Sequence, residues 1–183
     1  DDTTLQAQII GRDAVTDLAL LKVNAKGSLP AATWGDSAQA RVGDWVLAIG
    51  NPFGLGGSVT AGIISATARD IHSGPYDDYL QTDASINRGN SGGPMFNLAG
   101  EVIGINTAIY SPSGGSIGIG FAIPSAMAQP IIEQLKATGK VERGWIGARI
   151  QPVTDEIAES LGLEKNRGAM IAAVDWASPA EKA

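Results

Sequence analysis

Residues 81–94 read Gln-Thr-Asp-Ala-Ser-Ile-Asn-Arg-Gly-Asn-Ser-Gly-Gly-Pro. Ser91 stands between Gly89-Asn90 and Gly92-Gly93. Glycines on both sides open backbone conformations closed to other residues and leave room for a substrate against the main chain. A serine on such a turn exposes its hydroxyl, and nearby amides can face the oxygen that turns negative when a carbonyl is attacked. That is the chemistry of acyl transfer by a nucleophilic serine. A glycine-rich loop that merely turns the chain would read the same over Gly89 to Gly93, so the rest of the sequence has to decide.

The elements that must hold this turn are mostly strands. Residues 5–10 read as a strand closed by Gly11-Arg12-Asp13. Residues 18–23 form a near-continuous apolar run, as in a buried strand, with Asp17 directly before it. Residues 45–50 make another buried strand, stopped by Asn51-Pro52. Residues 59–68 predict a long strand with a bulge or bend at Gly62. Residues 71–78 are a polar loop holding the only histidine, His72. After the serine, residues 95–98 and 101–110 predict a hairpin through Ala99-Gly100, and residues 117–123 return as a strand. Such spacing indicates an all-β barrel or sandwich. One helix follows, with Met127, Ile131 and Leu135 on one face, Gly139 as its stop, and a kink or late start expected at Pro130. Composition shifts at residues 140–143. Beyond lie a strand over 145–153, a short helix capped by Thr154 and a strand over 168–174.

Composition narrows the chemistry. Glycine accounts for 24 of 183 residues, nearly twice the usual share of about 7%, which suits many tight turns. The net charge of −6 argues against nucleic acid as a partner. With no cysteine and one histidine, neither a disulfide nor a metal site is expected, and no cofactor is implied. No apolar run approaches the roughly 20 residues of a membrane span. The opening Asp1-Asp2-Thr3-Thr4 does not look like a natural start, and some forty residues after 143 are too few for an independent core.

At residues 87–94 the chain closely resembles the HtrA/DegP (Do-like) serine proteases. Residues 16–23, Thr-Asp-Leu-Ala-Leu-Leu-Lys-Val, resemble the segment carrying that family's catalytic aspartate. Gly-Asn-Pro-Phe-Gly-Leu-Gly at 50–56 is a typical family turn. Residues 104–109 and 118–124 are similar to the strands and loop of its specificity pocket. From about Arg143 the chain resembles the first half of a PDZ domain. The resemblance implies an all-β, chymotrypsin-like double β-barrel with its N-terminal barrel incomplete, a C-terminal helix, then a truncated PDZ domain. The protease part would span 1–140 and the PDZ part 141–183.

By the same resemblance, Ser91 is the nucleophile and Asp17 the acid that orients the base. Gly89, Asn90 and Ser91 form the oxyanion hole, with the Gly89 and Ser91 amides as donors. Asn106, Thr107, Ala108 and Ile109 pair with an extended substrate. Gly144, Trp145, Ile146 and Gly147 match the PDZ carboxylate-binding loop. Taken alone, Asp17 is one of many candidates, since Asp36, Asp44, Asp70, Asp77, Asp78 and Asp83 also precede Ser91. The family's histidine base precedes its aspartate, and no histidine stands among residues 1–16. The chain alone is therefore expected to be inactive, because a hydroxyl without a base is a weak nucleophile. The order Asp17, His72, Ser91 is that of subtilisin, but the alternating helices and parallel strands of that fold are missing, so His72 is expected to have no catalytic role.

In chymotrypsin-fold proteases the residue six before the nucleophile lies at the pocket base. Here it is Ser85, which does not favour Lys or Arg. Ile86, Ile109 and Ile119 read as apolar walls, so cleavage after Val, Ala or Ile is expected. Asn90 lacks the charge to bind a freshly cut amino terminus. The reading that leads is an ATP-independent endopeptidase that degrades misfolded proteins in the periplasm, built as a trimer-based homo-oligomer. Unfolded proteins or peptides would be its partners. A chaperone-like or peptide-binding module without catalysis is the alternative. A third possibility is that a separate N-terminal piece supplies the base.

Overall fold

A computed structural model describes residues 4–183. The chain divides into two compact units, Asp1–Val141 and Glu142–Ala183.

In the first unit, β1 (Ala7–Asp13) and β2 (Leu18–Val23) form an antiparallel hairpin. The expected stop at Gly11 is a register shift instead: Ile9 faces Leu21, Gly11 faces Leu20, and the strand runs on to Asp13. Gly11 is needed there because a Cβ would lie 2.5 Å from the Gly139 carbonyl oxygen. The apolar run of β2 is not the buried strand expected of it. Leu18 is buried, but Leu21 is 55% exposed. One face of the hairpin packs on the helix and the other is open.

Six strands close the barrel. They are β4 (Trp45–Gly50), β5 (Ser58–Arg69), β6 (Tyr79–Thr82), β7 (Pro94–Asn97), β8 (Glu101–Ile109) and β9 (Gly120–Pro124). The order is β8-β7-β4-β5-β6-β9, and β9 pairs back onto β8, so every barrel strand has two antiparallel neighbours. Closure removes the unpaired edges of an open sheet. The two-residue β3 (Thr33–Trp34) adds to β8 in parallel. Val46, Ile64, Leu80, Met95, Ile103 and Ala122 fill the interior. Gly62 stays in register opposite Val46, and the irregularities of β5 fall after Ile64 and Ala66. What demands glycine at 62 is close approach: a Cβ would lie 2.3 Å from the Ala84 amide nitrogen.

The helix α1 (Ser125–Thr138) follows β9 and runs through Pro130. The late start expected at Pro130 does not occur: the helix begins at Ser125, and Pro130 removes one backbone donor inside it. Gly139 closes it in the left-handed conformation, its N–H donating to the Leu135 carbonyl. Ser125 is wholly buried at its start. Its hydroxyl donates to the Gly35 carbonyl at 2.7 Å and accepts from the Ser37 N–H at 3.0 Å. The Ser37 hydroxyl in turn accepts from the Ala126 N–H. Leu18, Ile123, Ala128, Ile131 and Leu135 form a second core, so α1 joins the hairpin to the barrel.

The second unit pairs β10 (Ala148–Pro152) with β11 (Ala169–Val174). Between them is α2 (Asp155–Ser160), capped by the Thr154 hydroxyl, which accepts from the Ile157 N–H. A short α3 (Pro179–Lys182) is capped by the Ser178 hydroxyl, which accepts from the Glu181 N–H.

Candidate active site

Ser91 sits on the turn that joins β6 to β7. The turn is tied down by its own backbone. The Asn90 N–H donates to the Asn87 carbonyl at 3.0 Å, and the Gly93 N–H to the Asn90 carbonyl at 2.9 Å. Gly92 N–H donates to Asn106 O at 2.8 Å, and Asn106 N–H to Gly93 O at 2.9 Å, fastening the turn to β8. Gly93 tolerates no side chain, since a Cβ would lie 2.1 Å from the Ile49 carbonyl oxygen.

The Ser91 hydroxyl is exposed and donates to the Thr107 carbonyl at 2.8 Å. The Thr107 hydroxyl donates to Asp17 Oδ2, also at 2.8 Å. Serine and aspartate, 74 positions apart in sequence, thus meet through one residue. Thr107 reaches both because β8 is irregular there: Asn106 faces Ala122 and Ala108 faces Phe121, with Thr107 as the extra residue. A bulge re-aims a strand's groups in this way beside many active sites. Asp17 ends the β1–β2 turn with φ 57°, a left-handed conformation that aspartate adopts more readily than most residues. Behind it, the buried Thr16 hydroxyl donates to Asp13 Oδ2 at 2.6 Å.

The amides before and at the serine differ in availability. Gly89 has φ 108° and no room for a Cβ, which would lie 2.2 Å from the Asn51 carbonyl oxygen. The carbonyls on either side of its Cα are already used: Arg88 O accepts from Phe53 N–H at 2.9 Å and Gly89 O from Asn51 N–H at 3.2 Å. Among the described residues, no acceptor faces the Gly89 or the Ser91 N–H. Both are open to an incoming oxyanion. Asn90 is corrected as an oxyanion-hole residue, because its N–H is spent on Asn87 within the turn. Its side chain is buried instead, and its amide group donates to the Ser85 carbonyl at 3.4 Å.

Beside the serine is a cavity of about 320 Å³ lined by Ile86, Ala108, Ile109, Asn87, Arg88 and Ser111, together with Ser91 and Thr107. Ile86, Thr107, Ala108 and Ile109 therefore come together there, while Ser85 and Ile119 do not line it. The Ser85 carbonyl is held by the Thr60 hydroxyl at 3.1 Å, and Ile119 O accepts from Tyr110 N–H. Asn106 also drops out as a strand-pairing residue, since Gly92 and Gly93 occupy both its backbone groups. Sequence reasoning gave no special role to Asn87, whose side-chain oxygen accepts from the Ser116 N–H and ties the β8–β9 loop to the cavity rim.

A second opening, about 380 Å³, lies between Asp17, Leu18, Ser91, Asn106 and Thr107. His72 lines neither. It is exposed on the β5–β6 loop, with Nδ1 3.2 Å from Asp70 Oδ1. In the second unit, Gly147 (φ 75°) has no space for a Cβ against Ser178. Ile146 O accepts from Ala180 N–H and Gly147 O from Asp175 N–H, while Trp145 and Ile146 side chains are exposed. No group of three or more metal-ligating side chains occurs among the described residues.

Known proteins resemble this arrangement closely. The family described as trypsin-like peptidase domain matches residues 1–105. A probable periplasmic serine endoprotease DegP-like from Rhizobium meliloti (strain 1021) is 60% identical over all of this chain and 36% of its own length. Its counterpart in Rickettsia conorii (strain ATCC VR-613 / Malish 7) is 58% identical over the whole chain and 37% of its own length. The chain thus spans about a third of the curated relatives it matches. Among solved structures, the HtrA-type protease AlgW with tripeptide is 52% identical at a TM-score of 0.85, covering 96% of this chain and 58% of that one. AlgW with decapeptide gives a TM-score of 0.80. With its closed antiparallel barrel and exposed serine turn, the chain belongs to the trypsin-like peptidase domain family, in its HtrA/DegP-like form.

Proposed function

We propose that this chain carries the nucleophile and the orienting acid of an ATP-independent serine endopeptidase of the protein quality-control type. The observation that carries the reading is the link Ser91–Thr107–Asp17 beside two unoccupied amides. Ser91 Oγ attacks the scissile carbonyl as its proton passes to a base. The oxyanion accepts from the Gly89 and Ser91 N–H groups, and collapse expels the amine. Water then releases the acyl group. The base is a histidine outside residues 1–183, since His72 is exposed, beside Asp70 and away from both openings. Ile86, Ala108 and Ile109 give the cavity apolar walls, which suits cleavage after Val, Ala or Ile.

The names of the relatives support a periplasmic location and a protease that acts on proteins or peptides, and misfolded proteins are the substrates proposed here. Residues 142–183 are read as part of a PDZ domain, with 144–147 taking a C-terminal carboxylate, and the intact protein as a trimer-based oligomer. The absence of a histidine from either opening favours one other reading, a peptide-binding module without catalysis. Fluorophosphonate treatment of the full-length protein, with the modified residue located by mass spectrometry, separates the two. Labelling at Ser91 is expected. An unlabelled Ser91 in folded protein that still binds unfolded chains would establish the binding module instead.

A further inference from the structure

The cavity beside Ser91 carries a charge that the reaction does not use. Of the residues lining it, Arg88 is the only ionisable one. The others are apolar or neutral, and none is an acid. Arg88 is exposed, and among the described residues its guanidinium has no ion-pair partner. A solvated surface arginine would look the same by exposure alone. Two facts set Arg88 apart. Its backbone is fixed, because Phe53 N–H holds its carbonyl and Asn51 N–H holds the next one. It also directly precedes Gly89, whose N–H has no acceptor among the described residues. A cation on a held backbone thus directly precedes Gly89, in a chain whose net charge is −6.

We propose that Arg88 selects substrates with an acidic side chain within two residues of the scissile bond. The apolar walls would take the aliphatic residue at the cut, and the guanidinium would take the neighbouring carboxylate, bidentate where the geometry permits. The substrate class is then aliphatic-plus-acidic, not aliphatic alone. The inference rests on the protease reading above.

The test uses the full-length protein and a peptide set with Val at the cleaved position. Asp, Ala or Lys is placed in turn at each of the three positions on either side. Each variant is scored by its own ratio of kcat/KM for the Asp and Ala peptides, so a change in overall activity cancels. The wild type is expected to favour Asp by about two- to five-fold at one flanking position, the size of an exposed ion pair. High salt should erase the preference. Arg88→Ala should bring the ratio to one, Arg88→Lys should keep part of it, and Arg88→Glu should favour the Lys peptide. A wild-type ratio of one at every position overturns the proposal, as does a preference that survives Arg88→Ala. Fluorophosphonate labelling of Ser91 is read in the same samples. Labelling without an acid preference removes only the Arg88 proposal, whereas absent labelling and cleavage remove both.

Discussion

Inside the barrel, Val46, Ala48, Ile64 and Met95 are wholly buried, whereas in the β1–β2 hairpin Ile9 and its cross-strand partner Leu21 are 62% and 55% exposed. Each barrel strand is bonded on two sides, while each hairpin strand has one neighbour. Yet Ser91 belongs to the barrel and Asp17 to the hairpin, and one threonine joins them. Ser91 is therefore held by closure of a whole sheet. Asp17 is held by a turn, the packing of Leu18 on α1, and a hydrogen bond from Thr107. On the proposed function, the barrel would fix where the reaction happens and the hairpin would supply the orienting acid.

The largest expected effects test that division at the chemistry. Ser91→Ala should cut turnover of the full-length protein by about a million-fold, as when a nucleophile is removed from a triad. The melting temperature should barely change, because the hydroxyl makes one exposed hydrogen bond. Asp17→Asn should cost about ten thousand-fold in kcat, through misorientation of the base. If Asp17→Asn retained full turnover, the acid would lie elsewhere and the hairpin would have no part in catalysis.

The serine end was the more legible in sequence. Gly89, Gly92 and Gly93 around one serine announce a turn: Gly89 and Gly92 take positive φ, and Gly93 gives room for the Ile49 carbonyl. The strands 45–50 and 101–110 were readable from unbroken β-forming runs. The buried role of β2 was misread because Leu18, Leu20, Leu21 and Val23 look the same whether or not anything covers their second face. Thr107 escaped notice as a bridge because a one-residue bulge in β8 leaves no mark on local composition. Asn90 was assigned to the oxyanion hole by its neighbours, while the fate of its N–H depends on the carbonyl of Asn87. Long-range matters of this kind, such as Gly62 against Ala84, require the fold.

The same contrast governs stability. Met95 is wholly buried in the barrel interior, so Met95→Ala should destabilise by about 2–5 kcal/mol. Leu21→Lys, on the open face of the hairpin, should change stability by no more than about 0.5 kcal/mol. Urea unfolding of both variants measures the difference. A large loss from Leu21→Lys would mean that the open face is covered in solution.

The smallest effect lies where the two regions approach, at the β5–β6 loop. A Cβ on Gly74 there would stand 3.7 Å from the Val15 carbonyl oxygen of the hairpin turn. Asp77 organises this loop, accepting from the Ile71 N–H at 3.0 Å, the Ser73 N–H at 2.8 Å and the Ser73 hydroxyl at 2.8 Å. Partial desolvation pushes its carboxyl up, but the hydrogen bonds from Ser73 and Ile71 outweigh that and leave it below the ordinary value. A carboxylate lowered on folding contributes stability that is complete above its unfolded value, about 3.9. That contribution disappears as pH falls through the lower folded value. Protection of the Ile71 and Ser73 amides against hydrogen exchange should therefore be flat from pH 8 to pH 5, after allowing for the intrinsic exchange rate. It should fall only in stronger acid. Asp77→Asn should weaken protection at neutral pH and remove the acid step, leaving the barrel amides of β4 as they were. An acid step that persisted in Asp77→Asn would overturn the assignment of the titration to Asp77.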